Sequence, residues 1–505
     1  MSLNYNFIWL LCYLLVLVGW AGYGSHRLSI VYLYWKNRNN KPQPKARFQE
    51  LPVVTVQLPM FNEKFVVDRL LESVAALDYP QDKLEIQILD DSTDDTTEQC
   101  YRKVEELKSR GFDAVCIHRT DRTGFKAGAL EAATKVAKGE FLLILDADFV
   151  PEPDLLQKTI HFFTDENVGL VQTRWGHINR EYNLLTRIQG MYLDGHFAME
   201  QTARNRSGRF FTFNGTAGIW RKCVIGDAGG WSHDTLTEDM DLSYRVQLKG
   251  WRFIYLNDVV TPAELPVDMD GFKSQQHRWT KGSIQVCQKI LLDIWRSNAP
   301  LKAKVEATTH LTCNYSYLLL ALLCFLVYPI CTQRIPENET VFMWFVNVAL
   351  FFMTSVAVCI FYMSAQIVVR PKSWWKELPY LPLLLTLSVG MAVNNAKAVL
   401  EAIFGHQSAF VRTPKYGVDR KEDRRHVSQL KRNGYRAIKS VVIPVLEIAC
   451  GTFFLNLIII MIRQGHYLSP ILMIPFLGFY YTGFCSLGRM ISNLLPAKQT
   501  AKAKN

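Results

Sequence analysis

Asp146-Ala147-Asp148 follows the apolar run Phe141–Leu145 directly. At a strand end, carboxylates at i and i+2 can reach one pocket, and such oxygen donors suit Mg2+ or Mn2+ bridging a diphosphate. A plain turn ahead of Pro151 would use the same residues. Asp90-Asp91-Ser92-Thr93-Asp94-Asp95 follows Glu85–Leu89. Asp94 or Asp95 can cap the next helix, which leaves two acids at the strand end that repel unless a cation or donor comes between them. Thr237-Glu238-Asp239 opens a helix predicted over Asp239–Leu248. Thr237 can cap it, and first-turn acids are favoured by the helix dipole. The segment also brings a third carboxylate to the same domain, a candidate general base for a hydroxyl nucleophile. One base and a diphosphate leaving group suffice for inversion at an anomeric carbon, without a second carboxylate as nucleophile.

Two further groups fit a sugar diphosphate. If Ser274 to Leu292 is a helix, Gln275, Arg278 and Trp279 share one face at i, i+3 and i+4. They offer an amide, a fixed cation for phosphate and a flat plate for a pyranose; an amphipathic helix with one snorkelling Arg reads the same way. Lys126, in Gly124-Phe125-Lys126-Ala127-Gly128, sits at a helix start where backbone N–H groups and an ammonium would receive phosphate. There is no Walker A loop and no GxGxxG, which excludes a P-loop nucleotidase and a dinucleotide domain. His118, His161 and His196 are isolated and read as ordinary histidines.

These residues need a scaffold, and the alternation supplies one. Strands are predicted at Val53–Gln57, Glu85–Leu89, Ala114–His118, Phe141–Leu145 and Val168–Gln172. Helices are predicted between them at Lys64–Leu77, Asp95–Lys108, Ala127–Ala137 and Asp154–Phe163. The pattern predicts an α/β domain with a mostly parallel sheet covered on both faces. Ligands of such sheets bind beyond the carboxyl ends of the strands, where the acids fall.

The rest of the 505-residue chain is apolar. Phe7–Gly24 is long enough to span a bilayer and reads as an anchor. Arg27, Lys36, Arg38, Lys41, Lys45 and Arg47 follow it without an acid between, which places that side in the cytosol. Leu311–Cys331, Val341–Val369, Val441–Ile462 and Tyr467–Met490 are further candidate spans. Leu378–Phe404 carries Pro379, Pro382, Asn394, Asn395, Lys397 and Glu401. Since Arg412–Arg436 should also be cytosolic, this segment must cross an even number of times and is predicted to be interfacial or re-entrant. The expectation is five spans, with the N-terminus outside and Lys498, Lys502 and Lys504 inside. The net charge of +11 is then a matter of membrane topology, not nucleic-acid binding. Asn338-Glu339-Thr340 is a sequon in a predicted outside loop. The eleven cysteines show no CxxC pair or ligand spacing and read as free thiols. The expected domains are an anchor and basic linker (1–50), the α/β domain (51–273), the helix region around Gln275–Trp279 (274–306) and a transmembrane domain (307–505) that includes a cytosolic segment at 405–438.

Together these pieces resemble the family 2 glycosyltransferases of the cellulose synthase-like group, most closely the mannan and glucan synthases. The likeness runs from about Val53 to Ser283. Leu58-Pro59-Met60-Phe61-Asn62-Glu63, Phe125-Lys126-Ala127-Gly128, Asp146-Ala147-Asp148, Phe213-Asn214-Gly215-Thr216, Glu238-Asp239 and Gln275 to Trp279 carry it. Phe410-Val411-Arg412-Thr413-Pro414-Lys415 resembles the gating-loop motif of cellulose synthases, with Arg412 where Val is expected. The resemblance implies a GT-A catalytic domain fused to a transmembrane channel. It implies that Glu63 and Asp91 contact the nucleotide base end, that Lys126 serves the diphosphate, and that Asp146 and Asp148 contact the donor sugar and the metal. It assigns catalysis to Asp239 as base, with Glu238 and Asp148. Gln275, Arg278 and Trp279 would hold the acceptor and pyrophosphate, and Thr413 and Lys415 would close over the nucleotide. Phe149 stands where some cellulose synthases have a His metal ligand. The expected activity is processive, inverting transfer of hexose from UDP-glucose or GDP-mannose to a growing β-linked, 4-linked glycan. The chain would pass outward between helices lined by aromatics such as Tyr315, Tyr317, Tyr362, Trp374 and Trp375. The alternative is a synthase of ceramide or diacylglycerol glycolipids. The expected setting is a plasma, inner or Golgi-type membrane with the catalytic domain in the cytosol; a homo-oligomer or accessory subunit is left open.

Overall fold

The computed structural model describes residues 2–332, 354–406, 413, 415–418, 441–464 and 470–494. Seven strands form one sheet: β1 (Val54–Met60), β2 (Leu84–Asp90), β3 (Asp113–His118), β4 (Phe141–Ile144), β5 (Val168–His177), β6 (Gly218–Arg221) and β7 (Arg252–Ala263). Their order is β3-β2-β1-β4-β6-β5-β7. All pairings are parallel except those of β6, which runs antiparallel to both β4 and β5. Strands buried on both faces read as continuous apolar runs, and Leu84–Asp90 is buried throughout. One face packs Leu70, Leu71, Val104 and Leu107 from the helices Val67–Ala75 and Thr96–Ser109. The other packs Leu130, Ala133, Leu242 and Val246 from Phe125–Val136 and Glu238–Leu248.

The five predicted strands and four helices are present with shifted ends, and Asp154–Phe163 divides into an α-helix, Leu155–Thr159, and a 3-10 turn, Ile160–Thr164. β6 and β7 were not predicted. β6 is only four residues, and β7 carries Pro262 and faces a register shift between Thr173 and Arg174 of β5. The capping expectation for Thr237 fails: its side chain makes no cap bond, and its hydroxyl is buried without a hydrogen-bond partner among the described residues. Asp94 does accept from the Thr96 amide, at 3.0 Å.

The predicted helix at Ser274–Leu292 belongs to a longer one, Met269–Arg296, called here the long helix. It joins the sheet domain to the apolar helices. Among the described residues, Ile8–Asn37 and Val442–Arg463 are each long and apolar enough to cross a membrane. Two bent pairs pass that test together: Leu301–Thr312 with Tyr315–Pro329, bent by 53°, and Trp374–Gly390 with Ala392–Ile403, bent by 41°. The second pair is the segment predicted to be interfacial or re-entrant. Thr354–Val369 is a shorter apolar helix. The sequon, the first part of Val341–Val369, most of Arg412–Arg436 and the three C-terminal lysines lie outside the described residues. The ten cysteines whose side chains are described are all free.

Candidate active site

The acids collect where β1, β2 and β4 end and β6 begins. Because β6 is antiparallel, its entry loop lies at the carboxyl end of β4, with Gly218 opposite Ile144. Thr216 Oγ1 there accepts from the Asp146 amide at 2.8 Å. Lys126, in the first turn of its helix, donates to Asp146 Oδ1 and to the Gly215 carbonyl, the latter at 2.9 Å. Gly215 has φ +79°, and a Cβ there would stand 3.0 Å from Asp239 Oδ2. A side chain at this position would fill the gap between the lysine and the carboxylate.

Asp90 and Asp91 divide their work. Asp90 is fully buried and bonded to His118 Nδ1 and Thr97 Oγ1, each at 2.7 Å, so it holds β2 to its neighbours. Asp91 faces the cleft, where Arg119 donates Nε to one oxygen at 2.8 Å and Nη2 to the other at 2.6 Å. The groups anticipated between these acids are therefore the His118 ring, bonded to Asp90, and the Arg119 guanidinium, bonded to Asp91. Arg122 lies 3.4 Å over the Phe61 ring at the rim beside Glu63.

Asp148 is 5% exposed, and Lys415 Nζ donates to its Oδ2 at 2.5 Å and to the Glu264 carbonyl at 3.0 Å. Glu264, just past β7, accepts the backbone amides of Tyr416, Gly417 and Val418 at 3.0, 3.0 and 3.2 Å. Thr413 and Lys415 thus both line the cleft. Phe410, Val411, Arg412 and Pro414 of that motif lie outside the described residues.

Glu238 and Asp239 start their helix pointing at the cleft. It can approach the long helix closely because residue 282 is glycine: a Cβ there would meet Thr237 Cγ2 at 2.5 Å. Burial first, and then the Glu238 charge, push the Asp239 carboxyl up to about 7. Burial also raises Glu238, against the pull of Lys126.

The acids, Lys126, Gln275, Arg278, Trp279, Thr413 and Lys415 line one cleft of about 720 Å³. Behind it a second cavity of about 480 Å³ runs among the apolar helices. Trp175, Asn214, Asp239 and Trp279 line both. Of the aromatics expected along a passage, Tyr317 and Tyr362 line this cavity. Tyr315, Trp374 and Trp375 do not: Tyr315 packs on Ile284 and Val399, and Trp375 is half exposed. The other two singled-out histidines are also engaged: His161 accepts from the Phe48 amide, and His196 bridges Asn214 and Glu200.

The donor set suits a divalent ion. The lysines use one oxygen each of Asp146 and Asp148, and hard carboxylate oxygens suit Mg2+ or Mn2+, which keep waters and take substrate phosphates. Among the described residues no third acid, His or Cys joins them, so the remaining ligands would come from diphosphate and water.

Sequence reasoning missed Glu264 and Arg119, and it gave Asn214 and Trp175, which lie in motifs of the family resemblance, no role of their own. Glu264 obeys the rule that found Asp148, a polar residue just past a strand's carboxyl end, but its strand had not been predicted.

Residues 52–282 match the family described as Glycosyltransferase like family 2. Glucomannan 4-beta-mannosyltransferase 2 of Arabidopsis thaliana is 42% identical over 286 residues, 54% of this chain and 53% of its own length. Glucomannan 4-beta-mannosyltransferase 1 of Oryza sativa subsp. japonica is 41% identical over 277 residues, with the same coverage. The chain spans about half the length of the curated relatives it matches. In structure it is similar to the mannosyltransferase PcManGT from Pyrobaculum calidifontis, solved with GDP-Man and Mn2+. The TM-score is 0.52 at 20% identity, covering 71% of this chain and 99% of that one, a likeness of fold.

Proposed function

Starting from a chain that carries a family 2 glycosyltransferase domain of the cellulose synthase-like, mannan and glucan synthase kind, we propose that it transfers hexose from GDP-mannose or UDP-glucose, with inversion, to the 4-hydroxyl of a β-linked glycan. The observation that carries this reading is that Asp239 and Trp279 stand in the wall between two cavities. One holds acids and cations suited to a nucleoside diphosphate sugar; the other leads among apolar helices. The acceptor hydroxyl attacks the anomeric carbon as the bond from that carbon to the diphosphate oxygen breaks. Its proton passes to the Asp239 carboxylate, whose raised pKa suits a base near neutral pH. Lys126 and Arg278 bring positive charge to the departing diphosphate, and Trp279 offers the acceptor ring a flat face. Asp146 and Asp148 would hold a divalent ion that supplies charge neutralisation to the diphosphate when bound.

The second cavity, lined by Tyr192, Tyr317 and Tyr362, supports processive synthesis with the product threaded between the helices. On this reading the sheet domain is cytosolic, five spans cross a plasma, inner or Golgi-type membrane, and Thr413 and Lys415 close over the nucleotide. The test is a donor screen on purified protein with Mn2+ or Mg2+, scoring released GDP or UDP. Digestion of the labelled product with endo-mannanase or endo-glucanase follows. Polymeric, digestible product is expected; chloroform-soluble, resistant label would replace this reading with a glycolipid synthase.

A further inference from the structure

The long helix has a side that the proposed chemistry does not use. At about 100° per residue, Lys273, His277 and Ile284 fall within about 40° of one another, and Gln275, Arg278 and Trp279 centre on roughly the opposite side. Lys273 is buried, and its ammonium has three acceptors: Glu447 Oε2 at 2.5 Å, Ser486 Oγ at 2.9 Å and the Thr482 carbonyl at 3.0 Å. These lie on the helices Val442–Arg463 and Pro470–Leu494. Asn394, from the helix Ala392–Ile403, donates to the Lys273 carbonyl at 3.1 Å. Two turns along, Glu401 of that helix meets His277 at 3.1 Å and Lys281 at 3.2 Å, and Ile284 packs on Val399 and Ala402. Gln275–Trp279 is therefore tied to the apolar helices before and after its own span.

Glu447 stands in a helix long and apolar enough to cross a membrane, where an ionisable residue is costly and normally marks a function. Apolar contacts alone would let the long helix roll. A directional ammonium with three fixed acceptors sets its rotation, and catalytic groups must be held to about 10–20° of their productive aim.

We propose that Lys273, held by Glu447, is a positioning residue for glycosyl transfer: the pair fixes the rotation of the long helix and so the aim of Gln275 and Trp279 at the acceptor and of Arg278 at the departing diphosphate. This deepens the reading above and rests on it. It separates two affinities, because the donor is held largely by Asp91, Lys126, Asp146 and Asp148, which lie on the sheet domain.

The experiment compares wild type with Glu447→Asp, which keeps the charge and shortens its reach, and with Lys273→Met/Glu447→Met, which replaces the pair by apolar groups of similar volume, a change that buried ion pairs often tolerate. Calorimetry with GDP and UDP, calorimetry with β-1,4 manno- and gluco-oligosaccharides, and transfer rates are measured on each. Expected for both variants are oligosaccharide affinity weakened about tenfold, nucleotide affinity lowered far less because Arg278 alone of the three reaches the diphosphate, and transfer slowed by roughly 10–100-fold, the scale of an ångström's misplacement. If the double variant does not assemble, Glu447→Asp carries the test. Wild-type oligosaccharide affinity and transfer in an assembled variant, or equal losses for nucleotide and oligosaccharide, would overturn the proposal. A wild-type protein that binds oligosaccharide but turns over no sugar nucleotide would instead count against the proposed activity.

Discussion

Asp146 and Asp148 each meet a lysine ammonium, from Lys126 and Lys415, whereas at Glu238 and Asp239, in the same cleft, burial outweighs the attraction of Lys126. Four carboxylates thus sit under two electrostatic regimes. The paired carboxylates each give one oxygen to an ammonium and have the other for a divalent ion that would meet the diphosphate. A buried carboxylate beside a second acid favours its proton and can exchange it near neutral pH. The pairs also reach the cleft differently. Asp146 and Asp148 follow a strand fixed on both sides, while Glu238 and Asp239 open a helix whose approach depends on Gly282. On the proposed reading the sheet holds the substrate and the helix takes the proton, and that difference can be broken one side at a time.

The largest effect is expected at Asp239. Asp239→Asn keeps the shape and removes the base, so transfer should fall by about 10²–10⁴-fold, read as GDP or UDP release, while nucleotide affinity by calorimetry holds. Retained turnover would erase the distinction between the pairs. Asp148→Asn acts on the holding side. Chelation and this substitution should each lower metal-dependent donor affinity, by at least the roughly 10–100-fold typical of perturbed metal shells, measured by titrating Mn2+ against GDP binding. Gly282→Ala tests the helix approach. The new Cβ would press on Thr237 Cγ2 and Oγ1, an overpacking worth about 1–3 kcal/mol. A lowered melting temperature should accompany slower transfer, because the displaced residues adjoin Glu238 and Asp239.

The acids were legible because strands buried on both faces leave long apolar runs, and an acid directly after such a run has few places to go but the sheet's edge. That rule found Asp91, Asp146 and Asp148. It missed Glu264, because Arg252–Ala263 breaks its own pattern with Pro262 and faces a register shift. Lys126 was legible from its place at a helix start, but its bond to Asp146 was not, since it depends on how closely the Gly215 turn folds back. Lys415 and Asp148 lie 267 residues apart, and the likeness to a gating motif brought Lys415 to the nucleotide without foreseeing its bond to Asp148. Gly195–Gln201, for which no element was predicted, is a π-helix. A Cβ at Gly195 would crowd Phe361 and Tyr362 at 2.7 and 2.8 Å, so tight packing against Thr354–Val369 accompanies the wide turn, and local propensity carries no trace of it. The face of the long helix toward the cleft was legible from i, i+3, i+4 spacing. The face toward the bundle was not, because its partners Glu401 and Glu447 come from distant segments.

The smallest expected effect separates the two acids of the buried pair. Asp239 must be ionised to take a proton, so transfer should rise about tenfold per pH unit on the acid side and level off above about 7, where its carboxyl titrates. The Glu238 charge is the second cause of that raised value, after burial. Glu238→Gln keeps the volume and removes the like charge, so the ionised form of Asp239 becomes easier to reach and the acid limb should move to lower pH, by about one unit. At pH 6 the variant would then lose less activity, relative to its own plateau, than the wild type. A profile of transfer rate from pH 5 to pH 9 reads this directly, and the plateau height reports separately on any further part Glu238 plays. An unmoved limb would mean that burial alone sets Asp239; a limb moved to higher pH would mean that Glu238 acts through its bonds and not its charge.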